Sequence, residues 1–290
     1  MFQGFEDRLI NVDGVDIFCR IKGQGAPVLL LHGFPQTHAM WAEVAQDLCQ
    51  DHTVVCADLR GYGASDKPKG VENYSFRNMG KDQIGLMRAL GFDQFHLVGH
   101  DRGGRTAHRM ALDAPDAILS LTVMDIIPTQ LLLDDLNKNV PRAYYHWFFL
   151  AQPHPFPETL IASNPDYYYQ SCLLGWGASQ LGDFAPDQMA AYRTAWKDPN
   201  CIRAMCDDYR AAIDFDLALD QADLGRQVTC PALVLFGADG AMGKAYDVGA
   251  TWADRLQTYT AQGIPGGHFF VDQHPKETGD ALRAFFRTLC

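Results

Sequence analysis

The chain has 290 residues, 47% hydrophobic and 20% charged, which is enough apolar mass for a large core. Its net charge of −11 leaves no basic face for nucleic acid and repels an anionic ligand on average, so any anion must be captured by local arginines. No run approaches the roughly 18 apolar residues of a membrane helix, the opening MFQGFEDRLINVDGVDIF has no basic-then-apolar leader pattern, and eight cysteines without C-x-x-C or metal-like spacing read as reduced thiols of a soluble cytoplasmic protein.

Short β-type runs come first: RLINV, VDIFCRI and APVLLLHG. Tight turns such as VDG join them, which predicts that the first two or three strands pair antiparallel. HTVVCAD, FHLVGH and LSLTVMDI follow, separated by the helical stretches MWAEVAQDL, FRNMGKDQIGLMRALG and GGRTAHRMALDAP. Apolar strands alternating with amphipathic helices predict a mostly parallel sheet with helices on both faces.

After Asp125 the alternation stops. From about Pro128 to Gln227 the chain turns aromatic and helical, through NKNVPRAYYHWFFLAQ, NPDYYYQSCLLGWG, DQMAAYRTAW and PNCIRAMCDDYRAAIDFD. CPALVLFGADG then restores a strand, LQTYTAQG supplies the eighth, and PKETGDALRAFFRTLC reads as a closing helix. The expected organisation is an α/β core of residues 1–127 and 228–290, with a helical lid at 128–227. Such a lid covers the carboxyl edge of the sheet, where open α/β sheets bind ligands.

GHDRGG has the form G-x-nucleophile-x-G, the strand-to-helix elbow that lifts one side chain above the sheet. A helix-capping Asp in a tight turn accounts for it when taken alone. With HGFPQTHAMW and DLRGYGASDKP in order before it, the sequence resembles the α/β-hydrolase superfamily along essentially its whole length. The middle residue there is usually serine; here it is Asp101. A carboxylate needs no base to become a nucleophile, and on a saturated carbon it displaces a leaving group to form an ester.

Water must then cleave that ester, and this step needs a base. His268 in IPGGHFFVDQHP leads, because nucleophile, acid and late histidine is the chain order of these folds. His32, His100, His108 and His274 are weaker candidates. The orienting acid is Asp125, which ends a strand on the same edge as Asp101, with Asp239 as the fallback. The family geometry implies that the amides of Phe34 and Arg102 hold the oxyanion, with the Phe34 ring walling the pocket.

Arg102 and Arg105 are i,i+3 neighbours in the first turn of the helix, where cations oppose the positive helix end. Their planar forks match a carboxylate, although pairing with nearby acids explains them equally well. The combination of GHDRGGR with YYHW and CDDYRA resembles the fluoroacetate (haloacetate) dehalogenases. That resemblance assigns Arg102 and Arg105 to a substrate carboxylate, His146, Trp147 and Tyr209 to the halide, Asp125 to the triad and Trp176 to the pocket wall. It also implies a short haloacid as substrate, no cofactor and a homodimer.

Hydrogen bonds are strongest to compact anions, so three aimed donors help fluoride more than bromide, and each lowers the barrier by about 1–3 kcal/mol. Epoxide hydrolysis by the same aspartate is the alternative, supported by Tyr144, Tyr145 and Tyr209. Paired arginines have no use on a neutral haloalkane, and the absence of serine at 101 disfavours esterase chemistry. A non-catalytic receptor of this fold is the reading from another class, but Asp101, His268 and a candidate acid all persist.

Overall fold

The computed structural model describes residues 1–134, 142, 144–176 and 178–289. Eight strands make one sheet: β1 Glu6–Val12, β2 Val15–Lys22, β3 Pro27–Leu31, β4 Thr53–Ala57, β5 Phe95–His100, β6 Ile118–Met124, β7 Ala232–Gly237 and β8 Tyr259–Ile264. Their spatial order is β1-β2-β4-β3-β5-β6-β7-β8. β1 pairs antiparallel with β2, and β2 antiparallel with β4. Every later pair is parallel. Antiparallel pairing therefore ends at the second strand, and β3 already runs with β4 because a helix carries the chain back over the sheet between them.

Continuous apolar runs such as VLLL in β3 and VVCA in β4 are buried along their length, as expected of strands covered on both faces. The covering helices are α1 Ala42–Leu48, α2 Phe76–Ala89 and α3 Arg102–Asp113, joined by the final helix Pro275–Arg287. α1 packs against the final helix and α2 against α3, giving one pair for each face.

Between β6 and β7 the described residues are helical: α4 Thr129–Asp134, α5 Tyr145–Leu150, α6 Phe156–Ser163, α7 Pro165–Gly175, α8 Pro186–Trp196, α9 Pro199–Ala211 and α10 Leu217–Ala222. A π turn, Ala212–Asp216, joins the last two. Of the helix expected from Asn137, residues 137–141 and 143 lie outside the described residues, as do Gly177 and Cys290. These helices share one hydrophobic cluster with the sheet: Trp147, Leu150, Tyr169, Trp196 and Met205 are buried in the same core as Leu30, Val98 and Val123.

The strand order reverses at β3, which lies between β4 and β5. Loops leaving the carboxyl ends of β3 and β5 must therefore diverge, and the crevice they leave is where a ligand fits an open α/β sheet. Phe34 follows β3 and Asp101 follows β5.

Candidate active site

Asp101 stands between β5 and α3 with φ 47° and ψ −114°, a backbone region costly for any side chain. The flanking glycines make that corner possible. A Cβ on Gly99 would meet the Gly103 carbonyl oxygen at 2.3 Å, and one on Gly33 would meet the Asp101 Cβ at 2.6 Å. The Phe34 amide donates to Asp101 Oδ2 at 3.0 Å. Burial disfavours the carboxylate, but its interactions with His268, His100 and the guanidiniums of Arg102 and Arg105 hold its pKa below the usual range. It is an ionised, nearly desolvated carboxylate.

His268 lies just beyond β8 and donates from Nδ1 to Asp125 Oδ2 at 2.6 Å. Asp125 caps β6 with φ 50°, and its other oxygen accepts from the Gly237 amide at 2.8 Å. Burial opposes protonation of His268, yet the hydrogen bond and charge of Asp125 raise its pKa above the usual value. Its Nε2 is buried without a partner. An imidazole fixed at one nitrogen and free at the other is placed to take a proton from water.

Asp239 is exposed and closes its own loop, accepting from the Gly266 amide at 3.0 Å. The other histidines are occupied elsewhere. His32 accepts from the Leu59 amide at 3.1 Å, His100 Nε2 meets the His268 carbonyl oxygen at 2.8 Å, and His108 stands edge-on to Trp252. His274 lies 3.8 Å from Glu277 at the start of the final helix.

Arg102 and Arg105 are buried beside this centre, and each keeps a buried nitrogen without a partner among the described residues: Nη1 of Arg102 and Nε of Arg105. Arg102 uses Nε on Asp208 Oδ2 at 2.9 Å, and Nη2 on the Asp208 carbonyl oxygen at 2.9 Å and on Oδ1. Asp208 keeps that guanidinium firmly protonated despite its burial. Arg105 Nη1 donates to the Ile127 carbonyl at 3.0 Å and to Thr129 Oγ1 at 2.9 Å. Burial lowers its pKa to about 10, more than the charge of Asp101 restores, so a second anion beside it is favoured.

Aromatic groups from the chain after β6 pack around Phe34, whose amide holds Asp101. Around the Phe34 ring stand Tyr209 at 5.2 Å, His146 at 5.9 Å and Trp176 at 6.2 Å. Trp147 lies under both guanidiniums, 5.0 Å from Arg102 and 4.8 Å from Arg105. Tyr209 Oη, His146 Nδ1, Trp176 Nε1 and Tyr144 Oη are all buried without a partner among the described residues. Burial pushes the His146 pKa down to about 3, so the ring is neutral at pH 7. The arrangement joins an ionised carboxylate to a histidine held by a second acid, two guanidiniums and a wall of buried neutral polar groups.

Residues 26–275 match the alpha/beta hydrolase fold family. The chain belongs to that family. It is 54% identical to a fluoroacetate dehalogenase from Burkholderia sp over 98% of this chain and 95% of that one. It is also 29% identical to a soluble epoxide hydrolase from Corynebacterium sp. (strain C12), over 96% of each. A solved alpha/beta hydrolase structure from Nostoc sp PCC 7120 superposes with a TM-score of 0.97 at 45% identity, covering 99% of both chains.

This α/β hydrolase brings together Asp101, Asp125, His268, Phe34, Arg102, Arg105, His146, Trp147, Trp176 and Tyr209, all of them picked out in the sequence. Two acids escaped that reading. Asp208 is the first, with Tyr62 Oη donating to its Oδ2 at 2.7 Å; the doubled acid of CDDY was its only trace. The second is Asp272, four residues past His268, which accepts from Gln36 Nε2 at 2.8 Å and Tyr192 Oη at 3.1 Å. Nothing in FFVDQH distinguishes it from a surface residue.

Proposed function

We propose that this α/β hydrolase removes the halogen from short 2-haloacids, fluoroacetate foremost, giving glycolate and halide. The spare nitrogens of Arg102 and Arg105 take the substrate carboxylate. Asp101 attacks the halogen-bearing carbon from behind, forming an ester and expelling halide toward His146, Trp147 and Tyr209. Water loses a proton to His268 and adds to the Asp101 carboxyl carbon. The Phe34 and Arg102 amides hold the oxyanion, and collapse releases glycolate. No cofactor enters the scheme.

One observation carries this reading: an ionised aspartate at the elbow stands among buried polar groups that have no partner among the described residues, including two guanidinium nitrogens. Buried polar groups are normally satisfied, so an absent anionic ligand accounts for them together. Kinship at 54% with a fluoroacetate dehalogenase supports it, against 29% for the epoxide hydrolase.

We assign residues 128–227 the part of a lid that keeps water from the departing halide. A cytoplasmic setting fits the seven cysteines described as free. No described helix is long and apolar enough to cross a membrane. A homodimer has exposed Phe156, Leu160 and Tyr167 available to bury.

The test is a single turnover of fluoroacetate in ¹⁸O-water. Label is expected in Asp101 of the recovered protein, with one fluoride released. Asp101→Asn should be inert, and His268→Asn should accumulate the ester as added mass. Fluoride release that puts label only in glycolate overturns the covalent route.

A further inference from the structure

The leaving-group side of the chamber holds more than a halide needs. A departing fluoride is stabilised by hydrogen bonds alone, and an imidazole or indole N–H provides those. Tyr209 and Tyr144 add two phenols, both buried and both unpartnered. They belong to one aromatic cluster: Tyr209 lies 5.5 Å from the His146 ring, as does Tyr144, which also lies parallel to Trp176 at 6.3 Å. The charge of Asp101 is felt at both hydroxyls. A phenol differs from the other donors in one respect. It can part with its proton to an alkoxide, the one leaving group that hydrogen bonds alone do not suffice to expel.

Resting on the proposed roles of Asp101, Arg102 and Arg105, we propose a further activity: hydrolysis of a short epoxy acid, glycidate (oxirane-2-carboxylate), to glycerate. Glycidate matches fluoroacetate atom for atom around the reacting carbon. It carries the same carboxylate on that carbon, oxygen replaces fluorine as the leaving atom, and one methylene ties that oxygen back. With the carboxylate on the arginines, C2 meets Asp101 and the ring oxygen points where the halide goes.

The bond balance is closed. An Asp101 oxygen bonds to C2, the C2–O bond breaks, and its electron pair stays on the ring oxygen, which takes the proton of Tyr209. Water then gives one proton to His268 and its hydroxide to the Asp101 carboxyl carbon. Collapse frees the C2 oxygen, which takes the His268 proton. The carboxylic acid left at Asp101 returns the remaining proton to the tyrosinate. One epoxide and one water give one diol, with no acid released, whereas dehalogenation releases a proton with each halide. Tyr144 supplies the second hydrogen bond to the oxygen while Tyr209 is deprotonated.

Burial holds both phenols well above their usual pKa, with the charge of Asp125 and Asp101 adding to it at Tyr144 and that of Asp101 at Tyr209. Both are therefore protonated at rest, and forming the ester removes the Asp101 charge, which makes each phenol a better acid as the alkoxide develops. A neutral epoxide lacks the group that Arg102 and Arg105 grip. The selection is thus for epoxides bearing a carboxylate on the ring carbon, and only short ones.

The experiment compares racemic glycidate, methyl glycidate and chloroacetate on the full-length protein, following products by NMR. Glycerate is expected from glycidate, with kcat/KM at least about 100-fold above that for methyl glycidate. Tyr144→Phe and Tyr209→Phe should each lower the glycidate-to-chloroacetate rate ratio at least tenfold. Turnover of chloroacetate without glycerate sinks the epoxide activity and leaves the dehalogenase reading standing. Loss of both in wild-type protein sinks that reading instead. Equal rates on glycidate and its methyl ester overturn the carboxylate requirement, and an unchanged ratio in both variants overturns the phenols as proton source.

Discussion

At the scale of single residues, the proposed base His268 should set the pH dependence. It must be neutral to accept a proton from water, and Asp125 holds its pKa above 6.5. Turnover therefore falls as pH drops through that raised value, while Asp101, with its lowered pKa, stays ionised throughout. Asp125→Asn removes the charge that raises it, so the acid limb should move to lower pH as kcat falls by roughly 10³–10⁴. A pH profile of kcat for both proteins checks this, and an acid limb that stays put contradicts the pairing. Asp208→Asn acts on binding. Arg102 would keep its buried charge but lose its counterion, at a stability cost on the order of 3–5 kcal/mol. With its aim loosened, KM for chloroacetate should rise about tenfold or more while kcat changes less. A folded variant with unchanged KM would mean that Arg102 aims itself. Sequence reached Asp101 and His268 because motif and chain order are local. It could not reach Asp208, since nothing local says which acid meets an arginine 106 positions away.

At the scale of elements, the strands were legible because buried runs such as VLLL and HLVG are short, apolar and bounded by turn residues. The direction of β3 and the π turn at Ala212–Asp216 were not, because pairing and helix pitch depend on partners distant in sequence. One such junction ties three elements together. Gln36, two residues past Phe34, bonds both Tyr192 on α8 and Asp272 just beyond His268. Burial lifts the Asp272 pKa to about 7, against the help of Gln36 and Tyr192 and reinforced by the charge of Glu43. Raised above its unfolded value of 3.8, this carboxyl favours the folded state fully only below that pH. The advantage fades as pH rises through 7. Asp272→Asn keeps an amide in the junction and removes the titration. It should stabilise the protein at pH 8 by about 1–3 kcal/mol, a few degrees of Tm, with the gain shrinking toward pH 4. Melting curves across that range decide it, and a gain independent of pH would assign the effect to packing.

For the whole molecule, the question is whether the helices between β6 and β7 form a detachable cover. Their apolar residues belong to the same cluster as the sheet, and polar ties cross the junction at several points. Trp196 Nε1 donates to the Pro35 carbonyl at 2.7 Å, and the Phe76 amide donates to the Asp216 carboxylate at 3.0 Å. Arg203 Nη2 donates to the Lys67 carbonyl at 2.7 Å. Arg102 on Asp208 makes the Asp101 elbow itself part of that seam. Opening the seam exposes a continuous core and strands a buried ion pair, so partial opening costs nearly as much as global unfolding. Cover and core should then unfold together. Three of the five tryptophans, Trp147, Trp176 and Trp196, lie between β6 and β7, whereas Trp41 and Trp252 lie outside. Fluorescence therefore weights the cover, and far-UV circular dichroism reports the whole. In a urea titration the two curves should superimpose at one midpoint. Fluorescence changing at lower urea than ellipticity would mean that the cover lifts first, and that the seam is weaker than its contacts imply.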